Sequence, residues 1–277
     1  MPAPMQLTRR RFLGLMALAP AALVVDAVGF APRELAVAEQ EVAVPGLPAD
    51  LAGLRVGVLS DFHAGRVSLG LAREAVRLLH GLAPDLVCLP GDLVDGDPGV
   101  AGPLADILAT LRPRLGTFAS PGNHEHWSRA IPALRTELGA RGIPLLVNAA
   151  RPLASTLWVA GLDDPWAGRP DLGATLAGIP ANACTLLLCH APDYADHIAG
   201  HPARIPLQIS GHSHGGQVVL PGLGPVKLPP LGRRYHTGLY RVAGTDRQVY
   251  TTRGVGHTLP IRLNCPPEAT LLTLRPA

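Results

Sequence analysis

Short apolar runs alternate with helical stretches along most of the chain after residue 50. The runs are largely apolar and occupy residues 54–60, 86–90, 116–120, 184–189 and 207–210. Helical spacing fills the intervals at 70–82, 100–111, 128–140 and 192–200, with Pro132 in a first turn. Because a strand covered on both faces has no polar side, such runs are typical of a buried sheet flanked by helices. The pattern predicts an α/β fold.

The pattern of apolar and polar positions changes after residue 216, where apolar segments follow one another with no helical stretch between them. These segments read QVVL, PVKL, GLYRV, RQVYTT and EATLLTL, and glycines and prolines separate them. Such punctuation is typical of strands joined by turns. We expect a second, β-rich layer rather than a separate domain, and we assign residues 31–277 to a single domain.

Polar side chains follow five of the apolar runs at the point where each run ends. They are Asp61 and His63, then Asp92, then Asn123 and His124, then His190, and last His212 and His214. In open α/β sheets the carboxyl ends of the strands line the ligand crevice, so these side chains should converge. Within the segment SGHSHGGQVVL, the two histidines at i and i+2 project to the same side of an extended chain.

The converging groups form a nitrogen and oxygen ligand set. Two carboxylates, five imidazoles and one amide oxygen suit manganese, iron or zinc. A single ion needs only three or four ligands, so the set indicates two ions. The pair of histidines taken alone would fit either a metal site or a polar turn. Because the other predicted strand ends also supply possible ligands, a metal site is the favoured interpretation.

In this order the residues resemble the calcineurin-like metallophosphoesterase family, whose pattern is DxH, GD, GNH, a lone His and GHxH. Here the blocks are Asp61-Phe62-His63, Gly91-Asp92, Gly122-Asn123-His124-Glu125, His190 and Gly211-His212-Ser213-His214. They span residues 54–216, and the tail at 253–274 resembles the exported bacterial phosphodiesterase branch. Five blocks in order make the resemblance specific.

The resemblance implies a four-layer α/β/β/α sandwich with mixed sheets around a site for two divalent ions. One ion would be held by Asp61, His63, Asp92 and His214. The other would be held by Asp92, Asn123, His190 and His212, so that Asp92 bridges the two. Manganese is the expected metal, with iron and zinc as alternatives.

The resemblance also implies the chemistry. A hydroxide bridging the two ions would attack phosphorus in line, and the same ions would stabilise the developing charge. His124 would stabilise the transition state or protonate the leaving oxygen, with either Asp61 or Asp92 to orient it. His126 is a candidate substrate contact, although a structural role is an equal alternative. Asp95 is expected to be structural, with a hydrogen bond to a ligand loop as the alternative.

The leading function is therefore a metal-dependent phosphoric-ester hydrolase, and more specifically a phosphodiesterase. The substrate would be a small-molecule or lipid phosphoester or pyrophosphate. Alternatives within the enzyme class are a phosphomonoesterase and a pyrophosphatase acting on a nucleotide-linked lipid precursor of the UDP-diacylglucosamine type. A non-catalytic metal-binding envelope protein is the least favoured alternative, because both His124 and Asp92 are present.

Charge and composition give little support to nucleic-acid binding, and no nucleic acid is expected as a partner. The chain is 47% hydrophobic and only 16% charged, and +2 of its formal net charge of +3 lies in residues 1–30. The rest of the chain therefore carries only about +1, with no stripe of lysine and arginine and few aromatic residues to stack on bases.

The N-terminal residues resemble an export signal. TRRRFLG at 8–14 is similar to the twin-arginine pattern, and the uncharged run 12–25 is short for a membrane span. We expect residues 1–30 to engage the twin-arginine export machinery and then to be removed or kept as a membrane anchor. The domain would lie in the periplasm or cell envelope.

The four cysteines, Cys88, Cys184, Cys189 and Cys265, lack the CxxC spacing of a structural zinc site. Three of them lie within apolar runs. An oxidising compartment permits disulfides, but buried thiols are the favoured expectation.

Overall fold

Two mixed β-sheets face each other in the computed structural model, which describes residues 22–277. The first sheet has the order β1 (Ala36–Val44), β13 (Glu268–Pro276), β2 (Leu54–Val58), β3 (Leu86–Pro90) and β4 (Thr117–Ser120). The second has the order β11 (Gly238–Arg241), β12 (Gln248–Thr251), β8 (Leu207–Ser210), β7 (Cys184–Leu188), β6 (Leu157–Gly161) and β5 (Ala149–Ala154). A hairpin of β9 (Val219–Leu220) and β10 (Gly224–Pro225) stands apart from both.

Within each sheet, the strands that carry the polar loops run parallel. In the first sheet β2, β3 and β4 are parallel, whereas β13 lies between β1 and β2 and is antiparallel to β2. In the second sheet β6, β7, β8 and β12 are parallel, with β5 and β11 antiparallel at the edges. The carboxyl ends of the loop-bearing strands therefore reach one edge of the sandwich.

Helices cover the outer faces of both sheets. The longer ones, on the first sheet, are α1 (Leu69–Gly81), α2 (Ala101–Leu108) and α4 (Ile131–Gly139). The short α3 (Asn123–Trp127) follows β4, and α5 (Leu172–Leu176) packs on the second sheet. Irregular helical turns occupy Asp26–Phe30, Ala31–Arg33, Ala49–Leu51, Pro98–Val100, Pro192–Asp196 and His214–Gly216.

Four apolar clusters pack these layers together in the described part of the chain. Between the sheets, Val56 and Val58 of β2 meet Leu186 and Leu188 of β7. The alternate residue Leu187 faces outward into a separate cluster on the second sheet, as the two-residue period of a strand requires. Both faces of each sheet are thus buried, which confirms the expected four-layer α/β/β/α sandwich with mixed sheets.

Most predicted elements are confirmed, with three corrections. All five apolar runs form strands, and Pro132 lies in the first turn of α4. The predicted helix 192–200 is wrong, because only Pro192–Asp196 forms a helical turn; the Asp193 carboxylate there binds the backbone N–H groups of Arg234 and Tyr235. The strands after residue 216 form no layer of their own, since β11 and β12 join the second sheet and β13 joins the first. PVKL is not a strand beyond Gly224–Pro225.

The proposed export signal falls largely on residues 1–21, which lie outside the described residues. Among residues 22–277 there is no helix with the length and apolar character needed to cross a membrane. The four cysteines are buried free thiols in the structure.

Candidate metal centre

The loops that follow β2, β3 and β4 of the first sheet meet the loops that follow β7 and β8 of the second. Backbone hydrogen bonds join neighbouring loops: Asp61 donates to Gly91 O at 3.0 Å, His63 to Asp92 O at 3.0 Å, and Gly211 to His190 O at 3.2 Å. The seven predicted ligands all lie here, and all are buried: Asp61, His63, Asp92, Asn123, His190, His212 and His214. The convergence expected of the strand ends is therefore observed.

The side chains form two adjacent groups of possible metal ligands. Asp61, His63 and His214 bring one donor atom each within 4.8 Å of the others, and Asp92, His190 and His212 do the same. Oδ2 of Asp92 is 3.0 Å from Nε2 of His190 and 3.8 Å from Nε2 of His63, so this carboxylate lies between the groups. His124 completes a third group with His63 and Asp92.

In two of the histidines, a hydrogen bond from one ring nitrogen to a backbone carbonyl group leaves the other nitrogen available to this cluster. Pro90 O lies 2.7 Å from Nδ1 of His190, and Pro230 O lies 2.7 Å from Nε2 of His212. Because a carbonyl only accepts, these nitrogens carry the proton, which leaves Nε2 of His190 and Nδ1 of His212 with free lone pairs. Ligating histidines in proteins are commonly fixed in this way.

The buried polar atoms that lack a hydrogen-bond partner in the described part of the chain include Nε2 of His190 and Oδ1 of Asn123. Nε2 of His190 approaches the Asp92 carboxylate at 3.0 Å but not in hydrogen-bonding geometry. A buried polar atom without a partner is costly, and a bound cation would satisfy both. The residues present therefore fit divalent metal ions.

Electrostatics favour the ligating protonation state at three of the ligands, His212, His214 and Asp92. At His190 burial disfavours the charged form, but the neighbouring carboxylates, Asp92 above all, outweigh it and raise the pKa well above its ordinary value. Burial, followed by the charge of His190, lowers the pKa of His212 to about 4. Burial, His63 and Arg262 together hold the pKa of His214 well below its ordinary value. Burial opposes ionisation of Asp92, but the neighbouring imidazoles, His190 above all, outweigh it and hold its pKa well below the usual range. Neutral imidazoles and an ionised carboxylate are the forms that bind metal.

The backbone is strained at five of the seven predicted ligands. Asp61, His63, Asp92, His212 and His214 all have positive φ, between 47° and 73°. This left-handed region costs a residue with a side chain about 1–3 kcal/mol, and such strain clusters at functional sites. The sharp turns let each short loop present its side chain to the cluster.

Sequence reasoning assigned no role to Glu125, although its carboxylate organises two of the loops. It is fully buried, and its oxygens accept hydrogen bonds from the backbone N–H groups of Asp92 at 2.9 Å, Val94 at 2.8 Å and Gly122 at 2.7 Å. Burial and the charge of Asp92 raise its pKa to about 7. Glu125 thereby joins the loop after β3 to the loop after β4. Its place in the GNHE block was the only available signal.

Asp95 orients His124, a role that the sequence analysis gave to Asp61 or Asp92. Its Oδ2 is 3.1 Å from Nδ1 of His124 and 3.4 Å from Nδ1 of His63. Nε2 of His124 points the other way, toward Asp92 Oδ2 at 4.0 Å. Asp95 therefore does more than support its own loop, because it also fixes the proposed proton donor.

His126 lies beside the site but turns away from it. Its Nε2 is 2.7 Å from Oδ1 of Asp163, and it is not among the residues that line the cavity described below. The carboxylate of Asp164, next to Asp163, accepts hydrogen bonds from the backbone N–H groups of Trp166 and Ala167, as aspartate side chains commonly do in turns. His126 therefore ties α3 to the Asp163 loop, and its proposed contact with substrate stays a prediction.

A cavity of about 610 Å³ opens above the ligand cluster. Its floor contains Asp92, Asn123, His124, His212 and His214. Its walls are mostly apolar, and they include Trp127, Trp166, Val218, Val226, Pro229, Pro230, Leu259 and Ile261. The two tryptophan rings pack edge to face at 4.9 Å, with Trp127 4.8 Å from the His124 ring and Trp166 5.5 Å from the His212 ring. Together they bridge the two sides of the floor.

Two polar residues that the sequence analysis did not single out hold the wall formed by residues 257–265. The buried Arg262 donates to the carbonyl groups of Arg253, Gly256 and Cys265 at 2.9, 2.5 and 3.1 Å. Nε2 of Gln217 donates to Leu259 O at 2.9 Å, and its Oε1 accepts from Thr258 N at 3.0 Å. The C-terminal tail is thereby fixed against the site.

Comparison with known proteins agrees with this geometry. The family profile for calcineurin-like phosphoesterases matches residues 54–216. An uncharacterized metallophosphoesterase of Bacillus subtilis (strain 168), YkuE, is 31% identical, with 98% of each chain aligned. Phosphodiesterase YaeI of Escherichia coli (strain K12) is 35% identical over 80% of this chain and 83% of its own.

Among solved structures, the NAD nucleotidase NadN of Haemophilus influenzae superposes with a TM-score of 0.50 at 17% identity. The match covers 73% of this chain and 45% of that one, and it shows a likeness of fold alone. The family profile and the two bacterial relatives lead further: the chain belongs to the calcineurin-like phosphoesterase family and is a hydrolase of phosphoric esters.

Proposed function

We propose that the protein is a phosphodiesterase that works with two divalent metal ions. The preference for diesters rests on the composition of the cavity lining. Lys227 is the single lysine or arginine among the lining residues. A phosphomonoester is a dianion without a second substituent, and it would be better matched by several cations. A diester carries one negative charge and two organic groups, which suits one cation and apolar walls. The relative YaeI is named as a phosphodiesterase.

The two ion sites would share Asp92. Asp61, His63, Asp92 and His214 would hold one ion, and Asp92, Asn123, His190 and His212 the other, as the two adjacent donor groups support. Manganese is the expected metal, with iron and zinc as alternatives, since all three accept this mixture of imidazole and oxygen ligands. When bound, two such ions lower the pKa of a nucleophilic water and stabilise charge on the phosphoryl oxygens.

His124 would protonate the leaving oxygen. Its Nε2 faces the cluster, its side chain keeps 13% exposure toward the cavity, and Asp95 holds the opposite nitrogen. An imidazole held in this way keeps one orientation, and the carboxylate stabilises its protonated form. The backbone N–H of His124 also binds Asp92 Oδ1 at 2.9 Å, which fixes the proton donor relative to the shared carboxylate.

We also propose that the domain works outside the cytoplasm on a phosphoester of the cell envelope. The support is the twin-arginine-like TRRRFLG and the apolar run that follows it. The same location argues against a nucleotide-linked lipid precursor as substrate, because nucleotide sugars lie on the other side of the membrane. Residues 31–277 would act as one domain.

The test uses the full chain, stripped of metal by a chelator and reloaded with manganese, iron, zinc or magnesium. Hydrolysis of bis-p-nitrophenyl phosphate, p-nitrophenyl phosphate and a nucleoside diphosphate sugar would be compared. We expect metal-dependent turnover that is fastest on the diester and is lost in Asp92→Asn and His124→Ala. The exposed His80 of α1 provides the matched control, His80→Ala, which should retain full activity.

Faster turnover of the monoester would replace the phosphodiesterase by a phosphatase. Turnover of the pyrophosphate alone would favour the pyrophosphatase. Folded, metal-loaded protein that hydrolysed none of the three would contradict the proposed function.

A further inference from the structure

Exposed large hydrophobic side chains are concentrated around the cavity mouth and at the start of the described chain. The first group, which we call the apolar rim, consists of Trp127, Trp166, Leu220, Leu223, Val226 and Leu259, with Leu223 82% exposed. The second, the N-terminal apolar segment, consists of Leu23, Val24, Val25, Val28 and Phe30. Among the described residues only Val37 belongs to neither group. Exposed apolar side chains gathered in this way mark an interaction surface.

The rim is held in place rather than left loose. Gln217 fixes the backbone of Leu259, and the Asp164 carboxylate fixes the turn that carries Trp166. Leu223 lies at the tip of the β9–β10 hairpin, whose strands pair in register at Leu220 with Gly224. A rigid scaffold that presents apolar side chains to solvent indicates that something outside the chain covers them.

The N-terminal apolar segment reaches the same side of the molecule. The backbone N–H of Arg262 donates to Ala27 O at 2.8 Å, and the adjacent Ile261 lines the cavity. Ala27 therefore lies against the loop that carries Leu259. In the sequence, Val24 and Val25 end an apolar run, 12–25, that follows three arginines at 9–11. The exposed apolar side chains on either side of Ala27 thus belong to a segment held beside the rim.

The chemistry of the rim matches a lipid surface. Tryptophan is favoured where one part of a ring is apolar and the other wet, as at the headgroup level of a membrane. Lys227 is the only lysine in the sequence, and it is exposed beside Val226 on the rim. A lysine there can lay its stem along acyl chains while its ammonium reaches lipid phosphates.

We propose that the apolar rim binds a lipid surface, and that the substrate is an amphiphilic phosphoester. The phosphate would reach the floor of the cavity at His124 and Asp92, while the apolar chains stay against Val226 and Leu259. The surface binding stands on the rim alone, and only the cleavage of the amphiphile rests on the proposed function.

The test of surface binding uses tryptophan fluorescence of the full chain. Of the three tryptophans, Trp127 and Trp166 lie on the rim, so Trp158→Phe leaves only rim reporters. Vesicles of phosphatidylcholine and phosphatidylglycerol, with brominated acyl chains, would quench rings that enter the bilayer. We expect quenching in this background, and its loss in Leu223→Asp/Leu259→Asp. Val37→Asp, which removes an exposed apolar side chain outside the rim, should leave the quenching unchanged.

Two results would overturn the proposal. Vesicle-bound protein with unquenched rim tryptophans would show that the N-terminal segment anchors the chain while the rim stays in water. A dimer in sedimentation that the double variant dissociates, without quenching, would show that a second copy of the chain covers the rim.

The test of substrate class uses two diesters with the same p-nitrophenyl leaving group, one with a methyl and one with a hexadecyl second ester, the latter in vesicles. We expect kcat/KM to favour the hexadecyl ester at least about tenfold, since many buried methylene groups contribute, and we expect the double variant to lose that preference. Equal turnover of both esters would contradict a lipid substrate, while the phosphodiesterase activity would still stand. Quenching without turnover of either ester would support binding of the rim to a lipid surface and contradict the proposed function.

Discussion

Nδ1 of His124 lies 3.1 Å from Oδ2 of Asp95, and this contact sets the direction in which the imidazole presents its other nitrogen. The same carboxylate oxygen is 3.4 Å from Nδ1 of His63. Asp95 itself lines neither the floor nor the walls of the cavity. It therefore acts on the proposed chemistry only through the two histidines, as a positioning residue.

Asp95→Asn should lower kcat by about 10–100-fold, because supporting partners of this kind contribute about that much. The asparagine keeps the shape of the side chain but cannot stabilise a protonated His124. The loss should be larger for alkyl leaving groups than for p-nitrophenolate, which departs without a proton. The control is Asp97→Asn two residues along, where the carboxylate only accepts from Gly99 N at 2.8 Å. An equal loss for both leaving groups would contradict the role given to Asp95.

Glu125→Gln should weaken metal binding by about 10–100-fold and lower the free energy of unfolding by about 1–3 kcal/mol. The substituted amide replaces one acceptor oxygen by a donor, which would then face a backbone N–H of Asp92, Val94 or Gly122. Calorimetric titration with manganese and denaturant unfolding would measure the two effects. Glu137→Gln on α4, a partly exposed site paired with Arg141, is the matched control. Unchanged manganese affinity in Glu125→Gln would show that Glu125 does not organise the loops.

The ligand-bearing loops could be predicted from the sequence because each is short and directly follows a strand. One loop carries both Asp61 and His63, and another carries both His212 and His214. Local spacing alone therefore places the members of each pair together. The supporting residues were not readable in this way. Arg262 contacts His214 across 48 positions, and no local pattern connects the two.

The pairing of strands within the sheets could not be predicted from the sequence either. Apolar runs identified β2, β3, β4, β7 and β8, but a buried run does not reveal which strand it pairs with. The C-terminal β13 lies between β1 and β2, so its neighbours come from the opposite end of the chain. β1 itself was missed, since the polar Glu39, Gln40 and Glu41 interrupt its apolar residues and most of the strand is exposed. The pattern suggested one central sheet, whereas the second facing sheet came only from the family resemblance.

The buried thiols predict a pH dependence of stability. Burial raises the pKa of the Cys184 thiol to about 11, so the folded chain binds its proton more tightly than the unfolded chain. The free energy of unfolding should therefore decrease from about pH 9 to about pH 11, as the unfolded thiol ionises first. At pH 8, Ellman's reagent should label none of the four cysteines in native protein and all four in guanidinium. Rapid labelling of native protein would contradict the buried positions.

Gly91 provides the sharpest steric test, because Gly96 has the same φ of 89° without its neighbours. A methyl group at position 91 would lie 2.6 Å from Nδ1 of His190 and 2.8 Å from the Gly122 backbone, whereas one at 96 meets nothing within 4 Å. Gly96→Ala should cost only the left-handed strain, about 1–2 kcal/mol, with metal binding and activity retained. Gly91→Ala should add displacement of His190, and with it the loss of manganese binding in calorimetry. If both variants lost only stability and bound manganese alike, His190 could not be the ligand that its position indicates.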